Sequence, residues 1–283
     1  MSIDPESAPT PSLQALTTEL DRVDGVVSVW CGSTDRVPWF VRAADQAHYA
    51  ASTMKLPVLV AAHRLAEAGR LDLDAPVTVH NEFASALDGS PYSVDHGEDS
   101  DDAVWDAIGT ERPLRWLVRR MTVRSSNLAT NLVLDEVGTG AVAEVLQASG
   151  SSAATTVGRG IEDYHARDVA IDNVVTAADL AAVLCALARR SLVSDAATRA
   201  ILDTLAENEW NEGIPAGLPA GVRVCHKSGW QARVCHDAAL LQPVGRAESV
   251  LVVLTTTDLE NESANALTAR IAAAAWADQK GSQ

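Results

Sequence analysis

The order of apolar patterns along the chain predicts an α/β fold in which both chain ends build one sheet and the middle supplies a helical insertion. Three observations carry this. Short β-branched runs stand near the start, at 25–31 (GVVSVWC) and 37–42. They return from 222 as VRVCHKSG, ARVCHDAALLQP and ESVLVVLTTT. Between them the apolar spacing is helical over 112–121, 124–136, 139–149, 176–190 and 194–207.

Each element has its own warrant. Over 12–22, Leu13, Leu16 and Leu20 fall on one helical face. The runs at 25–31 and 37–42 are close enough to form a hairpin. The stretch HYAASTMKLPVLVAAHRLAEAG starts a helix at Ser52, carries an apolar body and ends on Gly69. Pro57 lies in its first turns, where proline costs least. Residues 84–104 are acidic and read as a solvated excursion. Residues 158–173 (GRGIEDYHARDVAIDN) have no clear period and read as a polar loop. Thr176 with Asp179 resembles a capping box with Asp in place of the usual Glu. An Ala-rich helix closes the chain at about 262–278. The expected division is a discontinuous sheet domain over 12–50 and 210–280, a helical domain over 51–209, and a disordered tail over 1–11.

Composition narrows the function. The chain has 283 residues, enough for one large domain or two modest ones. Hydrophobic residues make up 47%, which excludes a disordered chain. A formal net charge of −16 repels phosphate backbones and anionic lipid, so neither nucleic acid nor membrane is an expected partner. Four cysteines are too few for a disulfide scaffold of this length. The opening MSIDPESAPTPSLQAL has no apolar core of a secretory signal, and no apolar run approaches a membrane span. With Met1 present, the expectation is a cytoplasmic chain without a removed leader.

Three short motifs carry chemistry. In Ser52-Thr53-Met54-Lys55, residues three apart share a helix face, so the Lys amine comes within hydrogen-bonding reach of the hydroxyl. A serine needs a base to become a nucleophile, and a lysine is one only when burial or nearby cations lower its pKa. Ser52 at a helix start also suits an oxyanion. Taken alone, the motif is weak, because Ser52 also suits a plain N-cap. Ser125-Ser126-Asn127 precedes the apolar face of Leu128, Leu132 and Val133, and alone reads as a polar helix start. Lys227-Ser228-Gly229 lies on a strand, followed by Trp230. Alternation there puts Lys227 and Gly229 on one face and Ser228 on the other, and Gly229 allows a close approach to the backbone.

Together, in this order and at this spacing, the three motifs match the S-x-x-K, S-D-N and K-T-G set of class A β-lactamases and penicillin-binding proteins. The chain resembles the class A β-lactamase-like serine hydrolases from about 12 to 278. YAASTMKLPVL, SSNLATNLVLDEVG, NVVTAADLAAVL and HKSGWQARVCHDAAL add to the likeness. The resemblance implies a mainly antiparallel sheet flanked by terminal helices, with the site between sheet and helical domain. It implies Ser52 as the acylated nucleophile and Lys55 as its proton acceptor. Ser125 would relay a proton to the leaving nitrogen, and Asn127 would bind a substrate amide. Lys227 and Ser228 would hold a substrate carboxylate, and the backbone N–H groups of Ser52 and Trp230 would form the oxyanion hole. No metal or cofactor is implied.

This sequence departs from the family pattern in three places. Ser126 replaces the Asp of S-D-N, and Ser228 replaces Thr but keeps the hydroxyl. The third concerns the Glu-x-x-Leu-Asn loop whose Glu activates the deacylating water. Here Glu162 lies in roughly that place, followed by His165-Ala166, so it is either the deacylation base or a solvated loop carboxylate. Arg159 and Asp172 could pair across the loop neck. Cys225-His226 and Cys235-His236 contain zinc-ligand types, but adjacent strand residues diverge and the spacing fits no zinc motif.

The expected activity is acyl-enzyme hydrolysis of a small-molecule amide or ester that bears a carboxylate, foremost a β-lactam amide. A D-Ala-D-Ala-type peptidase, a small-ester esterase, and a slowly turning over β-lactam-binding protein are the alternatives. The sequence leaves the natural substrate and the oligomeric state open.

Overall fold

The computed structural model describes residues 12–280. The tail expected over 1–11 lies outside them. A five-stranded sheet organises the molecule, in the order Arg223–Gln231, Val234–Gln242, Ser249–Thr257, Gly25–Ser33, Pro38–Arg42. Every neighbouring pair is antiparallel. The two chain ends meet along one seam, where Val29 faces Val253 and Cys31 faces Leu251. This is the α/β architecture expected from the order of apolar patterns.

Alternation along these strands sorts the core into two layers. On one face Val27, Val29, Cys31, Leu241, Leu251 and Val253 pack against the helices Leu13–Leu20 and Asn261–Lys280. On the other, Trp30, Leu240, Val250, Val252 and Leu254 join the larger core of the inserted helices. The helix Ala177–Ala188 lies against this face and is buried almost all round. The helix Lys55–Glu67 runs through the middle of the insertion, packed on the Leu114–Val123, Asn127–Val137 and Thr139–Ser149 helices. No helix among the described residues is long and apolar enough to cross a membrane.

Two local expectations need correction. Only half of a capping box forms: the Thr176 hydroxyl accepts from Asp179 N at 3.1 Å. The Asp179 carboxylate turns instead to Ser152 and Thr155, because three hydrogen bonds are available there. The acidic stretch 84–104 is mostly exposed, but it is structured and anchored rather than a free excursion. It contains a 3₁₀ turn at His96–Glu98 and a short helix at Asp102–Trp105, and the buried Asp101 carboxylate pairs with Arg120. A buried carboxylate is tolerated only when paired, so this pair fixes the loop to the helical layer.

The polar loop 158–173 folds back on itself. The Arg159 guanidinium is buried and donates to Asp172 Oδ1 at 2.7 Å, closing the neck. Asn173–Val175 then pairs with both Thr156–Val157 and His48–Tyr49. That small sheet brings the loop beside the residues that precede Ser52.

Candidate active site

Ser52 sits in the 3₁₀ turn Ala51–Met54, directly before the helix Lys55–Glu67. The turn is sharp: Ala51 has φ +43°. The neighbouring strand presses close, since a Cβ on Gly229 would fall 2.7 Å from Ser52 N. Only glycine fits there. Its alignment with the Ser52 backbone agrees with the alternation that puts Lys227 and Gly229 on one strand face.

Lys55 is fully buried. Its Nζ donates to Ser125 O at 2.6 Å and Asn127 Oδ1 at 3.0 Å, with Ser125 Oγ and Ser126 O at 3.4 Å. The sequence expectation of a Ser52–Lys55 contact is therefore not met. Two carbonyls and an amide oxygen across the cleft offer more acceptors than one hydroxyl on the same helix face. Burial lowers the Lys55 pKa to about 7, against the opposing pull of Asp99.

Ser125 is buried at φ +62°. Lys227, also fully buried, donates to Ser125 Oγ at 3.1 Å and to Ser228 O at 2.8 Å. The Lys227 pKa is held well below the ordinary value, first by burial and then by the nearby Lys55, while Asp237 opposes. Ala51, Ser125 and Glu162 are three of eight non-glycine residues with positive φ among the described residues. Strain held at a cleft is a sign of pre-organisation.

Asn127 opens the next helix. Its Oδ1 accepts from Lys55, and its Nδ2 donates to Glu98 O at 2.9 Å. Ser126 caps that helix by accepting from Ala129 N, and donates to Asp99 Oδ2 at 3.1 Å. Asp99 also accepts from Asn127 N, Leu128 N and the Trp105 indole. Asp99, from a loop whose acidic run looked solvated, thus sets a carboxylate against Ser126 and the start of that helix. No residue pattern in the sequence marked Asp99 apart from its neighbours.

Glu162, at φ +64°, lines a cleft of about 280 Å³ with Ser52, Asn127, Arg159, Tyr164 and Trp230. Its Oε2 accepts from Asp95 N at 2.8 Å, and its Oε1 is buried without a hydrogen-bond partner. Burial raises its pKa, aided by the charges of Asp95, Glu98 and Asp99. An adjoining cleft of about 370 Å³ holds Ser52, Ser125, Asn127, Glu98, Trp210 and Trp230. Ser228 faces neither. It lines a third hollow of about 330 Å³ behind Trp230, with its hydroxyl buried and unpartnered. Trp210, a second residue that sequence reasoning missed, packs against Trp230 with ring centroids 4.7 Å apart and the rings tilted.

The two Cys-His pairs serve the sheet. His226 Nδ1 is 2.9 Å from Asp237 Oδ1, and His236 Nε2 is 2.9 Å from Tyr49 O. Burial pushes the Cys225 and Cys235 thiols up to about 11 and about 12, so neither is a ready thiolate.

A family model described as "Beta-lactamase enzyme family" matches residues 11–279. No curated relative matches the chain. Among solved structures, the β-lactamase from Sphaerobacter thermophilus DSM 20745 superposes with TM-score 0.79 at 23% identity. That match covers 96% of this chain and 98% of the other. The ancestral (GNCA) class A β-lactamase gives 0.78 at 24% identity, covering 93% and 98%. PBP-A gives 0.78 at 18% identity, covering 96% and 98%. At these identities the superpositions show a shared fold.

Proposed function

The chain belongs to the β-lactamase enzyme family, and from that premise we propose a serine hydrolase that works through an acyl-enzyme and opens a β-lactam amide. The observation that carries this is the Ser125 hydroxyl between two buried lysine nitrogens, in the cleft that Ser52 enters.

The proposed steps are these. Ser52 Oγ attacks the amide carbon, and its proton passes to neutral Lys55, whose amine must turn from its acceptors at Ser125 and Asn127 toward Ser52 and whose pKa near 7 leaves a useful neutral fraction. The developing oxyanion faces the backbone N–H groups of Ser52 and Trp230. Ser125 gives its proton to the leaving nitrogen as the C–N bond breaks, and one of its two amine neighbours replaces that proton. Asn127, fixed at both ends of its amide, orients the acyl side of the substrate. Lys227 attracts a carboxylate, which restores the ammonium form that burial disfavours. Glu162 Oε1 then accepts a proton from water, the hydroxide adds to the ester carbonyl, the bond to Ser52 Oγ breaks, and the proton held by Glu162 returns to that oxygen, leaving the free acid product and the Ser52 alcohol.

One observation favours slow turnover, a β-lactam-binding protein in effect. Glu162 has only one free oxygen, because Oε2 is tied to Asp95 N. His165 points to Ser90 on the far side, with Nδ1 3.2 Å from its hydroxyl, and Ala166 has no polar side chain. Neither helps hold a water beside Glu162. A panel of a penicillin, a cephalosporin, a short ester and a D-Ala-D-Ala peptide tests the assignment. Hydrolysis of the lactams above the ester and peptide supports it; preference for peptide or ester overturns it.

A further inference from the structure

The cleft that contains Ser125 has a composition the mechanism does not use. Trp210 and Trp230 stand with ring centroids 4.7 Å apart at 56°, and Trp230 is 38% exposed. The 97–100 loop, with Glu98 and Asp99, lines the same cleft. Asp99 is fully engaged by the 126–128 backbone, Ser126 and Trp105. Glu98 is different. Its backbone carbonyl is pinned by Asn127, but its exposed side chain enters none of the ion pairs or hydrogen bonds among the described residues.

No cationic side chain lines this cleft. Lys55 and Lys227 are buried behind it, and Arg159 and Arg167 line the other one. Trp210 already has a cation over it: the Arg124 guanidinium lies 5.9 Å from its ring, anchored by Glu209. An aromatic face next to an unpaired carboxylate attracts a cation through both the ring quadrupole and charge. The position is also defined chemically. Ser52 and Ser125 line the same cleft as the tryptophans, so a substituent of a substrate held at Ser52 comes within their reach.

We propose that Trp210, Trp230 and Glu98 form a subsite for a planar cationic substituent of the substrate, so that zwitterionic substrates are preferred: a carboxylate for Lys227, a cationic ring for the tryptophans. This rests on the hydrolase reading for its place in the reaction, but not for its chemistry.

The test is a titration of Ser52→Ala protein at pH 8 with N-methylquinolinium and with neutral quinoline. The indole N–H signals of Trp210 and Trp230 are followed by NMR, assigned through Trp210→Leu and Trp230→Phe. The cation should bind about tenfold more tightly. Glu98→Gln, at an exposed position that leaves the fold intact, should remove most of that advantage, as should high salt. Equal affinity for the two probes overturns the proposal, as does an advantage that Glu98→Gln leaves unchanged. A parallel arm compares acylation of wild type by two β-lactams that differ in one substituent, a cationic pyridinium in one and a neutral ring in the other. Failure of both to acylate Ser52 would refute the hydrolase reading, while the titration still decides the subsite.

Discussion

The Lys227 side-chain nitrogen lies 3.1 Å from the Ser125 hydroxyl oxygen, and both groups are buried. With Lys55 Nζ 3.4 Å from the same oxygen, one hydroxyl bridges two amines that burial keeps easily deprotonated. Two full ammonium charges this close would repel strongly in a water-poor site. A single proton shared among these three groups would suit the proposed relay to a leaving nitrogen.

The first expectation is a pH dependence of acylation. Attack by Ser52 requires neutral Lys55, whose pKa is about 7. Below that value the amine is protonated and cannot accept; above it the neutral form dominates. The acylation rate, measured by stopped flow under single-turnover conditions, should rise as pH passes through about 7 and then level. A flat profile between pH 5.5 and 8.5 would remove Lys55 from the role of base.

Lys227→Ala should discriminate between substrates. A charge-assisted contact contributes about 1.5–3 kcal/mol, or roughly 10- to 150-fold in kcat/KM. That loss is expected on a carboxylate-bearing β-lactam and not on a neutral ester of the same acyl group. Equal losses would mean that Lys227 acts only through Ser125.

Much of this was legible in the sequence, and the gaps have physical causes. The strands at 25–31 and 222–257 and the helix faces follow from apolar period, which burial enforces directly. The motif residues were found because their spacing is local. Asp99 and Trp210 were missed because their roles come from pairings across the cleft, with Ser126 and Trp230, that no local period encodes. The direction of the Lys55 amine was missed for the same reason: its acceptors lie about seventy residues away.

Deacylation is the step that the proposed mechanism assigns to Glu162. A burst of product equal to the enzyme, followed by a slower steady rate, is expected for good β-lactams. Glu162→Gln should leave the burst unchanged and slow the steady phase by about 10²–10⁴-fold, the usual contribution of a general base. An unchanged steady phase would reduce Glu162 to a loop carboxylate. Fast turnover without a burst in wild type would overturn slow deacylation altogether.

His48 and His236 pack edge to face beneath the site, and burial lowers both pKa values to about 4. Unfolded histidine titrates near 6.5. Above that pH both states are neutral, so the pair has no effect. As pH falls from 6.5 toward 4, the unfolded chain takes up protons that the folded chain refuses, and stability is lost across that window. At about 1.36 kcal/mol per unit, the loss is on the order of a few kcal/mol. Urea unfolding at pH 7, 5.5 and 4.5 should show it, and His236→Asn should flatten the slope. A slope indifferent to that substitution would assign the acid sensitivity to other groups.

The central claim is that Ser52 becomes covalently acylated. Intact-protein mass spectrometry after mixing with a penicillin measures this directly. Wild type should gain the mass of one penicillin, mapped to the peptide containing Ser52, and the adduct should decay over time as the ester hydrolyses. Ser52→Ala should stay at its own mass with its fold intact. A wild-type protein that never gains the adduct, or a Ser52→Ala protein that still does, would contradict the account.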